Sequence, residues 1–323
     1  MAPPEITLTH LDEPLFDGAD ATKRDLVDYL EAVGDRIVSV LSGRPLSVIR
    51  VRAGQRPFMQ KNVPDYAPPW IKTVSMWAES SHRKVRYALC EDKPTLIWLA
   101  NQRAVEYHVT LGTAGHLDRP SYLVLDIDPP AAGEFGKAVA AARLVREALS
   151  GAGLAGAVKT SGAKGVHIYV PVQESVSADD AAAATRALAE RAARLDPGLA
   201  TTAFIKADRG GLVFIDSTRA HRATVVAAYS PRARPGVPVS FPVAWDSLDE
   251  VSPGDFTVRN AARLLADADP WAAALPPPQA LPEDLVAEGH TIPIARVQAM
   301  HEGKRRARAQ RGSSHTAGGG PAT

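Results

Sequence analysis

Residues 121–130, SYLVLDIDPP, form a short apolar run that ends in two acids and two prolines. The run predicts a β-strand, which Pro129 and Pro130 stop because proline cannot donate a hydrogen bond to a neighbouring strand. Successive side chains of a strand point to opposite faces, so Asp126 and Asp128 project from one face, about 7 Å apart. The pattern therefore places an acid pair on a strand that is expected to be buried.

The acid pair predicts a metal site. Two carboxylates on one face repel each other unless a cation lies between them, and magnesium and manganese are hard ions that bind carboxylate and phosphate oxygens. Two divalent ions, Mn2+ or Mg2+, bound together with a nucleotide are the expected occupants. The alternative is a strand end whose acids merely face water.

A second apolar strand, predicted over residues 211–216, also ends in an acid, Asp216. This residue supplies a third carboxylate if the two strands lie side by side. Alone, Asp216 is weak evidence for a metal site, because an ordinary strand end explains it better.

The stretch SGAKGVH at residues 161–167 combines a hydroxyl, an ammonium, an imidazole and two glycines. Glycines let backbone amides approach phosphate oxygens, and the side chains supply further donors. It is not a Walker A loop, because GxxxxGK[ST] is absent and a strand is predicted to follow. The alternative is a hairpin turn with a single core histidine.

The rest of the chain mixes predicted helices and strands. Apolar periodicity predicts helices over residues 22–41, 95–107, 135–149, 177–195 and 258–268, and Thr22 with Asp25 predicts a capping box at the start of the first helix. Further strands are predicted over residues 46–52, near Phe58, over 71–78 and 84–89, and on both sides of the 161–167 turn, while residues 62–70 form a proline-rich loop.

Composition restricts the class of protein. The hydrophobic fraction of 45% is ordinary for a folded chain, and a net charge of +1 means that any nucleic-acid surface must be local. The single cysteine, Cys90, excludes internal disulfides and fits a reducing compartment. No export signal or membrane-spanning run is present, so a cytoplasmic protein is expected. Residues 301–323 form a basic, Gly-rich tail that is predicted to be disordered.

The order of these motifs resembles the archaeo-eukaryotic primase superfamily, and within it the polymerase domain of the bacterial end-joining ligase D. The resemblance covers roughly residues 20 to 250. It is carried by TKRDLVDYL, GRP, FMQKN, LANQRAVEYHV, LVLDIDPP, TSGAKGVHIYVPV, VFID and AYSPRAR.

This resemblance implies an α+β primase-polymerase fold, with mixed or antiparallel β-sheets flanked by helices. One catalytic domain is expected over residues 1–300, with an N-terminal module to about residue 115 and a metal-binding module from about 116. Asp126, Asp128 and Asp216 are the implied catalytic metal ligands. The implied nucleotide-binding residues are Ser161, Lys164, Gly165, His167, His108, Arg209 and Arg232.

On the DNA side, the resemblance implies that Phe58 stacks on a templating base and that Lys61 lies beside the template. Lys23 matches one of two family lysines that hold a 5′-phosphate, but Glu13 replaces the other, and Met59 replaces a second aromatic residue. These departures argue against classical end joining. No ligase or nuclease module follows within the 323 residues, so a stand-alone gap-filling enzyme of the actinobacterial Prim-PolC type is expected.

The predicted function is template-dependent extension of a DNA primer at short gaps, by two-metal chemistry. The family resemblance adds the use of manganese and a preference for ribonucleotides. The expected partners are gapped or primer-template DNA, NTP or dNTP, and a DNA ligase or other repair factors; a monomer is expected.

Two other classes of function remain open at this point. A nucleotide-sugar glycosyltransferase also uses an Asp-x-Asp motif, and a non-catalytic DNA-binding scaffold could descend from a polymerase. A phosphatase of the DxDxT type fits less well, because Pro130 stands where that motif requires threonine.

Overall fold

The structure is a computed structural model that describes residues 5–52, 54–78, 82–220 and 223–294. The basic tail predicted over residues 301–323 lies outside these residues. Within them, no helix is long and apolar enough to cross a membrane.

Twelve strands and eight α-helices are described. The strands are β1 (Leu46–Arg52), β2 (Gln55–Gln60), β3 (Thr73–Ala78), β4 (Arg83–Ala88), β5 (Ala104–Thr110), β6 (Tyr122–Asp128), β7 (Ala157–Thr160), β8 (Val166–Pro171), β9 (Ala200–Thr201), β10 (Val213–Asp216), β11 (Thr224–Val226) and β12 (Pro242–Val243). The helices are α1 (Lys23–Ala32), α2 (Gly34–Leu41), α3 (Lys93–Asn101), α4 (Phe135–Gly151), α5 (Ala178–Leu195), α6 (Ala261–Leu265), α7 (Pro270–Ala274) and α8 (Glu283–Thr291).

The strands form two six-stranded sheets. The first has the order β11-β5-β1-β4-β3, with β2 also paired to β1, and the second has the order β12-β7-β8-β6-β10-β9. All pairs are antiparallel except β9 with β10. After β10 the chain adds β11 to the first sheet and then returns to the second as β12. The predicted α+β architecture is confirmed.

The second sheet buries one face of β6. Leu123, Leu125 and Ile127 are fully buried, whereas the alternate residues Asp126 and Asp128 are partly accessible. Helices α4 and α5 pack on this sheet and contact β6. Alternation along the strand therefore places both acids on the face opposite the buried apolar residues.

The predicted helix over residues 22–41 is two helices in the structure. Thr22 and Asp25 form the predicted capping box at the start of α1. The break comes at Val33 and Gly34, where the side chain of Lys93 occupies the space that a Cβ on Gly34 would need. Glycine also weakens a helix interior, so the interruption has a local cause.

The predicted helix over residues 95–107 is wrong in its second half. Helix α3 ends at Asn101, and Arg103 adopts a left-handed φ of 60° before β5 begins. Residues 104–110 pair with β1, where Ile49 lies opposite Glu106 and Ser47 lies opposite His108. Long-range pairing thus outweighs the helical periodicity of this segment.

The helix predicted over residues 258–268 is shorter in the structure. Helix α6 ends at Leu265, because Ala266 adopts a left-handed φ of 46° directly after it.

Candidate active site

Four polar side chains form a row across the second sheet. Asp216 on β10 lies directly opposite Asp126 on β6, and Asp126 lies opposite His167 on β8. His167 in turn lies opposite Lys159 on β7. Directly paired residues of adjacent strands point to the same face, so these four side chains are neighbours. The two acid-bearing strands therefore lie side by side, which is the condition under which Asp216 can supply a third carboxylate.

Arg219 bridges the two acids of this row. Its Nη2 atom lies 2.8 Å from Oδ2 of Asp126 and 2.8 Å from Oδ2 of Asp216. The other oxygen of Asp216 accepts hydrogen bonds from the backbone N–H (2.8 Å) and hydroxyl (2.6 Å) of Thr218. Burial favours the neutral form of Asp126, but His167 and Arg219 outweigh burial and hold the pKa of Asp126 below its usual range.

Asp128 has a different environment. Its carboxylate is 31% exposed, and the Lys164 ammonium lies 3.4 Å away. Burial and the nearby negative charge of Asp126 raise the pKa of Asp128, and Lys164 offsets this only in part. The pKa values of Asp126 and Asp128 are therefore shifted in opposite directions, although the two residues lie only two positions apart on one strand.

His167 lies within the acid row. Its Nε2 is 3.3 Å from Oδ1 of Asp126, and its Nδ1 is 2.8 Å from the Lys159 ammonium. Burial and the Lys159 charge lower the pKa of His167 to about 4, so the ring is neutral near pH 7. Lys159 donates to Nδ1, which leaves the proton on Nε2, where it faces the carboxylate. Lys159 is fully buried and also donates to the Ser240 hydroxyl, at 2.5 Å.

The turn between β7 and β8 packs against the acid-bearing strand. The Ser161 hydroxyl accepts hydrogen bonds from the N–H groups of Ala163 and Gly165, each at 3.2 Å. A Cβ on Gly165 would lie 1.9 Å from the carbonyl oxygen of Ile127. Glycine is therefore required at this position by a close approach to β6. Lys164 donates to the carbonyl of Pro129 at 2.8 Å, which keeps its ammonium beside Asp128.

Glu106 joins two of the predicted nucleotide-binding residues. Its carboxylate lies 2.8 Å from Nε2 of His108 and 3.1 Å from Nε of Arg232, and it accepts the Ala233 N–H at 2.9 Å. Burial opposes ionisation, but the bond from His108 and the charge of Arg232 lower the pKa of Glu106 to about 2. Arg232 also donates to the carbonyl of Ser161. The cluster therefore connects the first sheet to the β7–β8 turn.

Arg209 is held apart from this cluster. It lies in a 3-10 helix, Lys206–Arg209, and donates to the carbonyls of Ala203 and Phe204, each at 3.1 Å. Its guanidinium stacks 3.7 Å from the centre of the Phe214 ring, and Phe214 lies opposite Asp128 in the sheet. The structure therefore places Arg209 at the Asp128 end of β10, without a direct contact to the acids.

Phe58 and Lys61 line a basic groove on the first sheet. Phe58 is 37% exposed, and the guanidinium groups of Arg50 and Arg52 each lie 5.9 Å from the centre of its ring. The groove has a volume of about 570 Å³ and is lined by Arg50, Arg52, Phe58, Met59, Gln60, Lys61, Asn62, Pro64, Tyr66, Arg83 and Val85. Among the residues that the structure describes, none that lines this groove is acidic.

Lys23 does not lie on that surface. The residue is 2% exposed, and its ammonium donates to the carbonyl of Thr9 and the side chain of Asn101, both at 2.6 Å. A phosphate contact would require the ammonium to leave both acceptors, so Lys23 is not part of the DNA surface proposed below. Glu13 forms ion pairs with Arg103 and with His10.

The three acids fit a metal site in their chemistry. Carboxylate oxygens are the ligands that Mg²⁺ and Mn²⁺ prefer. Across the described residues, no three His, Cys, Asp or Glu side chains converge as a ready-made metal site. The carboxylates of Asp126 and Asp216 converge on Arg219 instead.

Three residues of the site were not predicted from the sequence: Glu106, Lys159 and Arg219. Two of them had a local signal. In a strand, Glu106 shares a face with His108, and Lys159 interrupts an apolar strand. Arg219 had no such signal in the sequence, because it lies in a loop, where no strand or helix periodicity indicates which way a side chain points.

Three features define the class of protein. The second sheet holds three carboxylates, a glycine turn with hydrogen-bond donors lies beside them, and a basic groove with an exposed aromatic ring lies on the first sheet. These features are typical of enzymes that act on nucleotides and nucleic acids. Comparisons with known proteins specify the family. A sequence profile for the family described as LigD, primase-polymerase domain, matches residues 22–271, and the chain belongs to this family. Its members are nucleotidyltransferases, namely DNA-directed polymerases and primases.

Individual relatives agree with this assignment. The chain is 33% identical over 260 residues to the bifunctional non-homologous end joining protein LigD of Bacillus subtilis, covering 79% of this chain and 41% of that protein. It is 32% identical over 258 residues to the multifunctional non-homologous end joining DNA repair protein LigD of Mycobacterium tuberculosis, covering 76% and 34%. The chain therefore spans less than half the length of these relatives.

A solved structure confirms the fold. The polymerase domain from Mycobacterium tuberculosis Ligase D, in complex with DNA, matches with a TM-score of 0.74 and 28% sequence identity. The match covers 84% of this chain and 99% of that one.

Proposed function

We propose that this protein extends DNA primers at short gaps by template-dependent nucleotidyl transfer, as part of DNA repair. The observation that carries the proposal is the register of β6 and β10, which puts Asp126 opposite Asp216, on the same face as Asp128 and next to the donor-rich β7–β8 turn. Polymerase chemistry needs such acids close to donors for a triphosphate.

Asp126, Asp128 and Asp216 would hold two divalent ions. When bound, these ions activate the primer 3′-hydroxyl and stabilise the charge on the leaving pyrophosphate. The protein's own contribution is to orient the carboxylates. Thr218 fixes one oxygen of Asp216, and His167, oriented by Lys159, faces one oxygen of Asp126.

The triphosphate would lie along the β7–β8 turn. Lys164 in the turn, with Arg232 and His108 beside it and Arg209 at the Asp128 end of β10, would supply positive charge and N–H donors, while Gly165 lets the turn approach β6. Ser161 and Glu106 keep this arrangement in place, since Ser161 braces the turn and Glu106 holds His108 and Arg232 together.

The template strand would lie in the groove around Phe58. An exposed aromatic ring between two arginines can stack on a base while the guanidinium groups pair with phosphates. Lys61 in the same groove adds a further positive charge. The solved structure of a relative in complex with DNA supports a DNA partner for this chain.

The finer features of the proposal rest on the family resemblance. These are a preference for ribonucleotides, the use of manganese and a ligase that seals the product. The names of the relatives place them in non-homologous end joining. Glu13, at the position of the family's second phosphate-binding lysine, is a departure that argues against classical end joining in this chain.

The family assignment sets aside the nucleotide-sugar glycosyltransferase that the Asp-x-Asp motif alone left open. Such an enzyme would also use Asp126 and Asp128, but it would not depend on a DNA template and would leave the basic groove without a role. Incorporation of each nucleotide type on gapped, nicked and blunt DNA, with magnesium or manganese, tests the proposed function.

The sharpest single variant is Asp128→Asn. Because the pKa of Asp128 is raised by burial and by Asp126, removal of its charge should leave the free energy of unfolding unchanged or slightly higher. Nucleotide incorporation should fall at least about a thousandfold, equivalent to about 4 kcal/mol of transition-state stabilisation. Asp246→Asn, at an exposed ion pair with Arg146, is the matched control and should retain activity. Near-normal incorporation by Asp128→Asn would remove this residue from the metal site.

A further inference from the structure

Arg219 shares its guanidinium between the two acids that face each other across β6 and β10. One nitrogen, Nη2, lies 2.8 Å from Oδ2 of both Asp126 and Asp216. The side chain is 31% exposed, so it reaches the acids from the accessible side of the sheet. Its Nε is buried and makes no hydrogen bond.

The remaining oxygens of the two acids have other partners. Oδ1 of Asp216 is bound by Thr218, partly through a backbone N–H that cannot rotate away, and Oδ1 of Asp126 faces the His167 ring at 3.3 Å. The two Oδ2 atoms are therefore the oxygens that the carboxylates turn towards each other. Both of them are paired with Arg219, whose side chain can leave by bond rotation alone.

We propose that Arg219 is a displaceable counter-ion that competes with a divalent cation for Asp126 and Asp216. The inference rests on the proposed function, because it takes these two acids as metal ligands. A cation that binds between them needs the same Oδ2 atoms that Arg219 occupies. Metal binding therefore requires the guanidinium to move away, and the free energy of the Arg219 ion pairs is subtracted from the metal affinity.

Replacement of Arg219 by a metal ion also explains how the largely buried carboxylates of Asp126 and Asp216 are kept opposite each other. Facing carboxylates with no cation between them would repel each other strongly at low dielectric. Arg219 supplies the positive charge until a metal ion replaces it. Removal of Arg219 should therefore have two effects of opposite sign, namely a less stable metal-free protein and tighter binding of the metal.

The test measures Mn²⁺ binding to the full chain by electron paramagnetic resonance, without nucleotide or DNA, together with thermal unfolding in EDTA. Arg219→Gln should unfold at a lower temperature in EDTA but bind Mn²⁺ about tenfold more tightly than the wild type, a change typical of coupled sites. Arg219→Lys, which keeps a positive charge, should be intermediate and guards against a folding defect in the first variant. Arg259→Gln is the control, since Arg259 also bridges two aspartates, Asp20 and Asp25, but lies outside the site.

Equal or weaker Mn²⁺ binding by Arg219→Gln would overturn the competition, because a purely structural arginine would help to hold the acids in position. Asp126→Asn separates this failure from a failure of the proposed function. If wild-type Mn²⁺ binding does not depend on Asp126 at all, the metal site itself is misplaced and both inferences fall.

Discussion

Glu106 is the residue that connects the two sheets at the site. It is 7% exposed and ionised, and it pairs with His108 on its own strand and with Arg232, which in turn donates to the carbonyl of Ser161. A buried carboxylate remains charged only where positive charge and N–H donors surround it. Its role is therefore one of positioning, and it acts through the residues proposed to bind the triphosphate.

The ionisation of Glu106 predicts a pH dependence of stability. Its pKa falls from an ordinary 4.5 to about 2 in the folded protein, so its charge stabilises the fold above about pH 4.5. This stabilisation, about 3 kcal/mol by linkage, is lost as the pH falls from about 4.5 towards 2.

Glu106→Gln should therefore lower the free energy of unfolding near pH 7, and the difference from the wild type should shrink as the pH falls below about 4.5. Urea unfolding of both proteins across this range measures the effect, with the exposed Glu147→Gln as a control. A constant difference at every pH would show that the Glu106 charge is not the stabilising feature.

At the scale of elements, the β7–β8 turn and β6 act as one unit. Gly165 lies so close to β6 that a Cβ would meet the carbonyl oxygen of Ile127 at 1.9 Å. Ile127 lies between Asp126 and Asp128, so a shift of either element would displace the acids from the donors of the turn. The geometry of the site is thus set by backbone contact as well as by side chains.

Gly165→Ala tests this contact. The substitution should destabilise the protein by about 1–3 kcal/mol, as overpacking does, and should also reduce nucleotide incorporation because β6 or the turn must move. Gly133→Ala, where a Cβ would meet nothing within 4 Å, is the matched control and should be neutral in both measurements. Full activity in Gly165→Ala would mean that the register of turn and strand is not required for catalysis.

At the scale of the whole molecule, positive charge is concentrated in local clusters. The net charge is only +1, yet four of the described residues that line the groove around Phe58 are basic and none of them is acidic. The sequence adds a second basic cluster near the C-terminus, formed by Lys304, Arg305, Arg306, Arg308 and Arg311. DNA affinity is therefore expected to come from these two basic regions, and not from a positive electrostatic field of the whole protein.

Deletion of residues 304–323 should leave nucleotide incorporation intact on saturating DNA but weaken DNA binding. Each phosphate contact that is lost should reduce the salt slope of the binding constant by about 0.9. A salt titration of both proteins on gapped DNA measures this slope. Identical slopes and affinities would assign the tail no part in DNA binding.

The sequence by itself determined the features that depend on near neighbours along the chain. Alternation in SYLVLDIDPP put Asp126 and Asp128 on one face, Thr22 and Asp25 formed the predicted cap, and the β7–β8 turn lies where its glycines indicated. Such features follow from backbone periodicity and local hydrogen bonds, which need no knowledge of the rest of the fold.

Only the tertiary structure decided which distant residues meet. The register of β6 against β10 aligned Asp126 with Asp216, and the loop after β10 delivered Arg219 to both acids. Pairing with β1 turned the segment containing Glu106 from a predicted helix into a strand, and packing buried Lys23. These outcomes depend on strand pairing and burial between segments that are distant in the sequence. The free energy of these contacts exceeds that of the local helix or strand propensity, and no short stretch of the chain reveals them.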